Sequence, residues 1–289
     1  MPVTITDVVL RDGLQDEDVL VATDDKLTIA DELVAAGIRQ IEAVSFVSPT
    51  RVPQMADADA LVARLQPYRA TTQVSALALN VPGVHRAVAA GVDVVHIAAS
   101  ASSAHSRANA GTSAAQALED LSRAVASYPA QRFLGGISTA FVCPFEGIIP
   151  PTRLVEVAEQ FAAMGIRTLG LADTMGTATT EHVLTAVGAV RDALPDITIG
   201  LHLHNADGQA LTTALQAARN LGIEHFDSAV GGYGGCPFAP GAHGNLATEE
   251  LVAHFHSHDV DTGIDLQQLA IAASTVKRIL ADSPQLSKE

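Results

Sequence analysis

Tryptophan is absent from this 289-residue chain, aromatic residues of all kinds make up 4%, and the only cysteines are Cys143 and Cys236. Two thiols cannot build the bridge framework of a small secreted domain, so stability must come from an apolar core, and a reducing compartment is expected. Basic residues are scarce too: 17 Lys and Arg against 32 Asp and Glu leave a formal net charge of -15. Such a surface repels phosphates, which argues against nucleic acid as a partner and obliges any phosphate-bearing ligand to find a local basic patch. No eighteen apolar residues run together, and the opening MPVTITDVVLRDG has no basic region followed by an apolar stretch. Neither membrane spanning nor export is expected, and the cytoplasm is the expected location. Ser/Gly tracts, charge blocks and low-complexity runs are also missing, so residues 1–289 are expected to form one domain.

What is present is a repeat. Short β-branched runs at 5–10, 38–46, 72–79, 92–99, 132–141, 166–173, 197–204 and 223–231 alternate with amphipathic segments. Leu27, Ala30, Leu33 and Val34 follow the cap candidate Thr23, and Leu211, Ala214, Leu215 and Ala218 follow Asp207. These segments end at Gly37 and Gly222, as helices do. Near-continuous apolar strands separated by helices imply a parallel sheet covered on its outer face. Eight such units suit a closed (β/α)8 TIM barrel better than an open sheet, and the glycine fingerprint of a dinucleotide fold is missing after the first strand. The segments from about 265 are expected to be helices packed on the barrel.

Chemistry in such a barrel gathers where strands end, which selects the polar residues to consider. Arg11 and Asp12 follow the first strand, Glu42 lies in the second, Asp173 ends the sixth, and His202 and His204 end the seventh. At a spacing of two, His202 and His204 share one face of a strand while Leu201 and Leu203 share the other. With Asp12 and Asn245 they make an N2O2 donor set suited to Mg²⁺ or Mn²⁺, with positions left for water or substrate. Arg11 can neutralise charge developing on an oxygen, or simply pair with Glu42 or Asp173. Glu42 and Asp173 can orient Arg11 or the histidines, and Asp173 can also act in proton transfer. The other histidines, at 85, 96, 105, 182, 225, 243, 254, 256 and 258, are expected to be structural. HFHSH (254–258) in particular reads as a solvated helix face.

Several stretches, in order along nearly the whole chain, closely resemble 3-hydroxy-3-methylglutaryl-CoA lyases: RDGLQDE, EAVSFVSPTRVPQM (42–55), CPFEG (143–147), LADTMG, HLHNADGQAL (202–211) and GGCPFAPGAHGNLATEELV (234–252). RDG recurs in the wider group of metal-dependent barrel lyases and Claisen-type synthases, whereas SFVSP with VPQM and the GGCP loop mark the lyase branch. The resemblance implies that Asp12, His202, His204 and Asn245 hold a divalent cation and that Arg11 and Glu42 are active-site residues. It further implies that Asp173 serves in acid-base work and that Cys236 is the reactive thiol of a closing loop. The implied substrate is an acyl-CoA thioester, cleaved by a retro-aldol step to acetyl-CoA and acetoacetate or a related ketoacid. His202 or Asp173 would take the hydroxyl proton, Arg11 would stabilise the enolate, and Cys236 or a water it positions would protonate the carbon. A homodimer or higher homo-oligomer is implied as well. Departures from the pattern, namely the acidic run Asp16 to Asp18, HLHNADG and the SPTR stretch, bear on the acyl group and the grip on CoA, where Arg51 and Arg107 are candidate basic contacts. Two alternatives stay open: a synthase condensing acetyl-CoA with a 2-oxoacid, and a metal-binding barrel without catalytic activity.

Overall fold

The structure is a computed structural model and describes residues 2–235 and 244–286. Ten strands follow in chain order: β1 (Thr4–Asp7), β2 (Gln40–Ser45), β3 (Gln73–Ala78), β4 (Val94–Ser100), β5 (Arg132–Ser138), β6 (Val142–Cys143), β7 (Gly147–Ile148), β8 (Thr168–Asp173), β9 (Thr198–Leu203) and β10 (His225–Ser228). The short β6 and β7 form an antiparallel hairpin, and the other eight close a parallel barrel in the order β1-β10-β9-β8-β5-β4-β3-β2. The expected (β/α)8 barrel is therefore the fold.

Alternation along each strand sorts side chains to two destinations. Val95 and Ile97 of β4, Leu169 and Leu171 of β8, and Leu201 and Leu203 of β9 are all buried, on the face that packs against the helices. The opposite face lines the barrel and is small or polar: Glu42, Ser75, His96, Gly136, Gly170, Gly200, His202 and Asp227. The helix Leu266–Asp282 starts on an Asp265 cap and lies against the helix Thr23–Ala35. No helix among the described residues is long and apolar enough to cross a membrane.

Two local expectations change. The first strand ends at Asp7 rather than at residue 10, because Val9–Gly13 wind into one π-helical turn whose five residues are all buried. Thr23 is the first residue of its helix, not its cap, and its hydroxyl instead donates to Asp57 Oδ2 at 2.7 Å. Such π turns are local distortions that frequently accompany function, and this one carries Arg11 and Asp12.

Candidate active site and metal centre

Strand register decides which of the candidate residues meet. In β9 and β10, His202 stands beside Asp227, and His202 Nδ1 lies 3.4 Å from Asp227 Oδ2. His204 follows directly after β9 and bridges to Asn245 from the far side of the glycine-rich segment. The two imidazoles turn Nε2 atoms toward each other at 3.1 Å, and Asp12 Oδ2 lies 4.0 Å from His202 Nε2. One ligand atom from each of Asp12, His202 and His204 falls within 4.8 Å of the others, which makes these residues a possible metal site.

Asn245 completes the picture. Its Nδ2 donates to Asp12 Oδ2 at 2.7 Å and to the Tyr233 carbonyl at 2.9 Å, while its Oδ1 is buried with no hydrogen-bond partner among the described residues. A buried acceptor left unsatisfied costs about 1–3 kcal/mol, and a cation is a partner that removes that cost. Two imidazole nitrogens and a carboxylate on one spot, with an orphaned amide oxygen on the residue bonded to that carboxylate, fit a divalent cation.

Arg11 and Glu42 are brought to the same place. Arg11 donates through Nε to Glu42 Oε1 and through a terminal nitrogen to Asp12 Oδ1, and all three side chains are buried. Burial alone would raise the Asp12 and Glu42 carboxyls, but neighbouring arginine and histidine side chains outweigh it and hold both below the ordinary carboxylate value. Arg11, His202 and His204 do this for Asp12, and Arg11 and His96 do it for Glu42. Arg11 responds in kind: burial would lower its pKa, and Asp12 and Glu42 raise it instead. For His202, burial opposes the charged form, yet its bond to Asp227 and the nearby Asp12 raise its pKa. A cation must displace that proton, so metal affinity should rise with pH.

Asp173 is not brought to the cluster. It pairs in register with Leu203, on the face opposite His202 and His204, and its Oδ2 accepts the Ala178 N–H at 3.1 Å. Burial, offset in part by backbone donors, pushes its pKa up to about 6, and Oδ1 has no partner among the described residues. Cys236 lies outside the described residues, but both flanks of its segment reach the cluster. Gly234, at φ +105, sits so close to Asp12 and Asn245 that a Cβ there would fall 2.9 Å from the Asp12 carbonyl oxygen. On the other flank, Asn245 is itself a candidate ligand.

Three participants escaped the sequence reading. Asp227 backs His202. His96 bonds to Glu42 through Nδ1. Asp7, fully buried, accepts the Val9 N–H at 2.9 Å, the Val230 N–H at 3.0 Å and the Thr248 hydroxyl at 2.7 Å, joining the π turn, the approach to the glycine-rich segment and the helix after Asn245. The legible signal was a polar residue inside an apolar strand run, as in VVHIAA and ITDVV. HFHSH spans the end of the helix Thr248–His256 and the turn after it and is not among the residues of the cluster, but it is only partly the solvated face expected: His256 and Ser257 are exposed, whereas Phe255 is fully buried in the core and His254 half-buried.

Comparison with known proteins agrees with this geometry. The HMGL-like family profile matches residues 2–276. An (R)-citramalyl-CoA lyase of Chloroflexus aurantiacus is 40% identical over 94% of this chain and 89% of its own. A hydroxymethylglutaryl-CoA lyase of Bacillus subtilis is 35% identical over 95% of this chain and 92% of its own. Among solved structures, an HMG-CoA lyase of Acinetobacter baumannii in complex with coenzyme A and 3-methylmalate superposes with a TM-score of 0.92 at 35% identity, covering 99% of this chain and 93% of that one. A barrel of this topology with Asp12, His202 and His204 converging at one rim, matched over nearly its whole length by these lyases, belongs to the HMGL-like family.

Proposed function

We propose that the chain is a divalent-metal-dependent lyase that cleaves the C2–C3 bond of a 3-hydroxyacyl-CoA, with 3-hydroxy-3-methylglutaryl-CoA and citramalyl-CoA as the candidate substrates. Both names denote a CoA thioester bearing a tertiary alcohol and a free carboxylate. The observation that carries this reading is the convergence of Asp12, His202, His204 and the orphaned Asn245 Oδ1 beside the buried Arg11.

Asp12, His202, His204 and Asn245 would hold the cation, Mg²⁺ or Mn²⁺ by their mixed nitrogen and oxygen donors. When bound, it supplies Lewis acidity that makes a substrate hydroxyl easier to deprotonate. With Nδ1 turned to Asp227, His202 keeps the Nε2 lone pair for the site, where it accepts either the cation or a proton but not both at once. His202 thus stands nearer the chemistry than Asp173, whose carboxyl faces the other side of the sheet. We assign Asp173 to holding the 173–178 turn, with proton transfer as the lesser reading. Arg11 uses two N–H groups on Glu42 and one on Asp12, which leaves others of its five to meet negative charge growing on a thioester oxygen. Cys236, on a segment anchored at both ends beside the ligands, would close over the substrate, exclude water and protonate the product carbon. A reducing cytoplasm suits the two cysteines, and self-association as a homo-oligomer belongs to the same reading by family resemblance.

The test is acetyl-CoA release from the two thioesters, each with Mn²⁺, with Mg²⁺ and after chelation. Metal-dependent release from either supports the proposal, and the faster one identifies the acyl group. Should neither thioester be cleaved while acetyl-CoA is consumed with a 2-oxoacid, the synthase reading replaces this one. If neither reaction proceeds, the barrel is a binding protein.

A further inference from the structure

Glu42 has two carboxylate oxygens, and the structure commits both. Arg11 occupies Oε1 through Nε and a terminal nitrogen, and His96 Nδ1 bonds to Oε2. His96 lies on the inner face of β4, its side chain 14% exposed, and its other ring nitrogen, Nε2, is buried without a hydrogen-bond partner among the described residues. That nitrogen occupies the space where a side chain at position 136 on the neighbouring β5 would begin, so a Cβ at Gly136 would overlap it far inside van der Waals contact. The imidazole and the missing side chain at 136 are one packing solution.

We propose that His96, accommodated by Gly136, is a positioning residue for the reaction: it locks the Glu42 carboxylate from behind and so fixes the direction of the Arg11 guanidinium. A carboxylate held on one oxygen alone can rotate about its terminal bond and swing its partner with it. Held on both, it cannot, and a guanidinium aimed in advance at a growing negative charge needs no reorganisation when the charge appears. His96 is not part of the Asp12, His202 and His204 cluster, and its bond goes to Glu42, so its effect should be felt in turnover rather than in metal occupancy. This inference rests on the lyase reading for its kinetic consequence, but the orientation of Arg11 can be measured without turnover.

Three variants separate the possibilities. His96→Leu keeps bulk and removes the hydrogen bond. His96→Asn keeps an N–H at the position of Nδ1 but does not extend to Gly136. Gly136→Ala displaces the parent imidazole. With a thioester that the parent cleaves, His96→Leu should lower kcat by about 10- to 100-fold, with KM and Mn²⁺ affinity near the parent's, and His96→Asn should regain most of the loss. Gly136→Ala should resemble His96→Leu in the parent background and be nearly silent beside His96→Asn. In the NMR spectrum of protein labelled with ¹⁵N-arginine, the Nε–H signal assigned to Arg11 through its loss in Arg11→Lys should be protected from exchange in the parent and in His96→Asn, and exposed in His96→Leu. Equal kcat losses in His96→Leu and His96→Asn would overturn the proposal, as would an Arg11 signal indifferent to all three changes. A parent without activity on any thioester would count against the lyase reading, and the arginine signal would still decide the role of His96.

Discussion

Replacing Gly234 with alanine asks the structure for two separate costs. The backbone there has φ +105, a conformation that L side chains rarely adopt, and enforcing it costs on the order of 1–3 kcal/mol. The new Cβ would also overlap Asn245 Nδ2 and press on the Asp12 carbonyl oxygen from 2.9 Å. Asn245 is short and doubly tied, to Asp12 Oδ2 and to the Tyr233 carbonyl, so it can yield only by giving up those bonds, at about 1 kcal/mol each. The expected destabilisation is then about 3–5 kcal/mol, a large share of the roughly 5–15 kcal/mol that holds a domain folded. Once Asn245 moves, its Oδ1 leaves the donor set, and Mn²⁺ affinity should fall by about 10- to 100-fold, or about 1.4–2.7 kcal/mol. Gly165 supplies the control: it has φ +87, nothing lies within 4 Å of its missing Cβ, and it closes a helix distant from the ligands. Gly165→Ala should show the strain alone. Mn²⁺ titration calorimetry and urea melts of both variants give the comparison. If Gly234→Ala binds Mn²⁺ as tightly as Gly165→Ala does, the argument that Asn245 is a ligand held in place from Gly234 is wrong.

His204→Ala should lower Mn²⁺ affinity by at least about 10-fold, and chelation should abolish turnover that Mn²⁺ then restores; full activity in thoroughly stripped protein would contradict the assigned centre. Cys236→Ala should reduce kcat by about 10² to 10⁴ with metal content intact, whereas Cys143→Ala, at a buried thiol near the Ser102 hydroxyl, should keep a kcat near the parent's; single-turnover kinetics on both variants checks the pair. Burial pushes the Asp7 carboxyl up to about 7, against donors from Val9, Thr248 and Val230, so the folded state holds a proton that the unfolded chain releases near 3.8. Stability from this group is therefore full below pH 4 and declines as the pH rises toward 7, by at most about 4 kcal/mol at about 1.4 kcal/mol per pH unit. Asp7→Asn, which cannot ionise, should flatten the fall in urea-melt stability between pH 4 and 7, and a slope identical to the parent's would show that Asp7 does not titrate there.

Periodicity carried the barrel. Strand-length apolar runs and helical stripes are local properties, written in neighbouring residues, so eight βα units and the helix after about 265 could be read without knowing what touched what. The His202 and His204 pair was legible for the same reason: side chains two apart on a strand share a face whatever surrounds them. Asp12 entered through its strand-end position and Asn245 as an oxygen donor that fills out the set, and their meeting across 233 residues is a fact of barrel closure that no local pattern encodes. What the tertiary structure alone decided is which face each strand turns inward and what stands across the gap. Strand register set Asp173 beside Leu203 and away from the histidines, and set Asp227 behind His202. Chain folding brought His96, one of nine histidines expected to be merely structural, to the second oxygen of Glu42, in space that Gly136 on the next strand leaves open. A strand's sequence specifies an alternation but not its phase relative to its neighbours; hydrogen-bond register across the sheet supplies that phase, and with it the membership of the site.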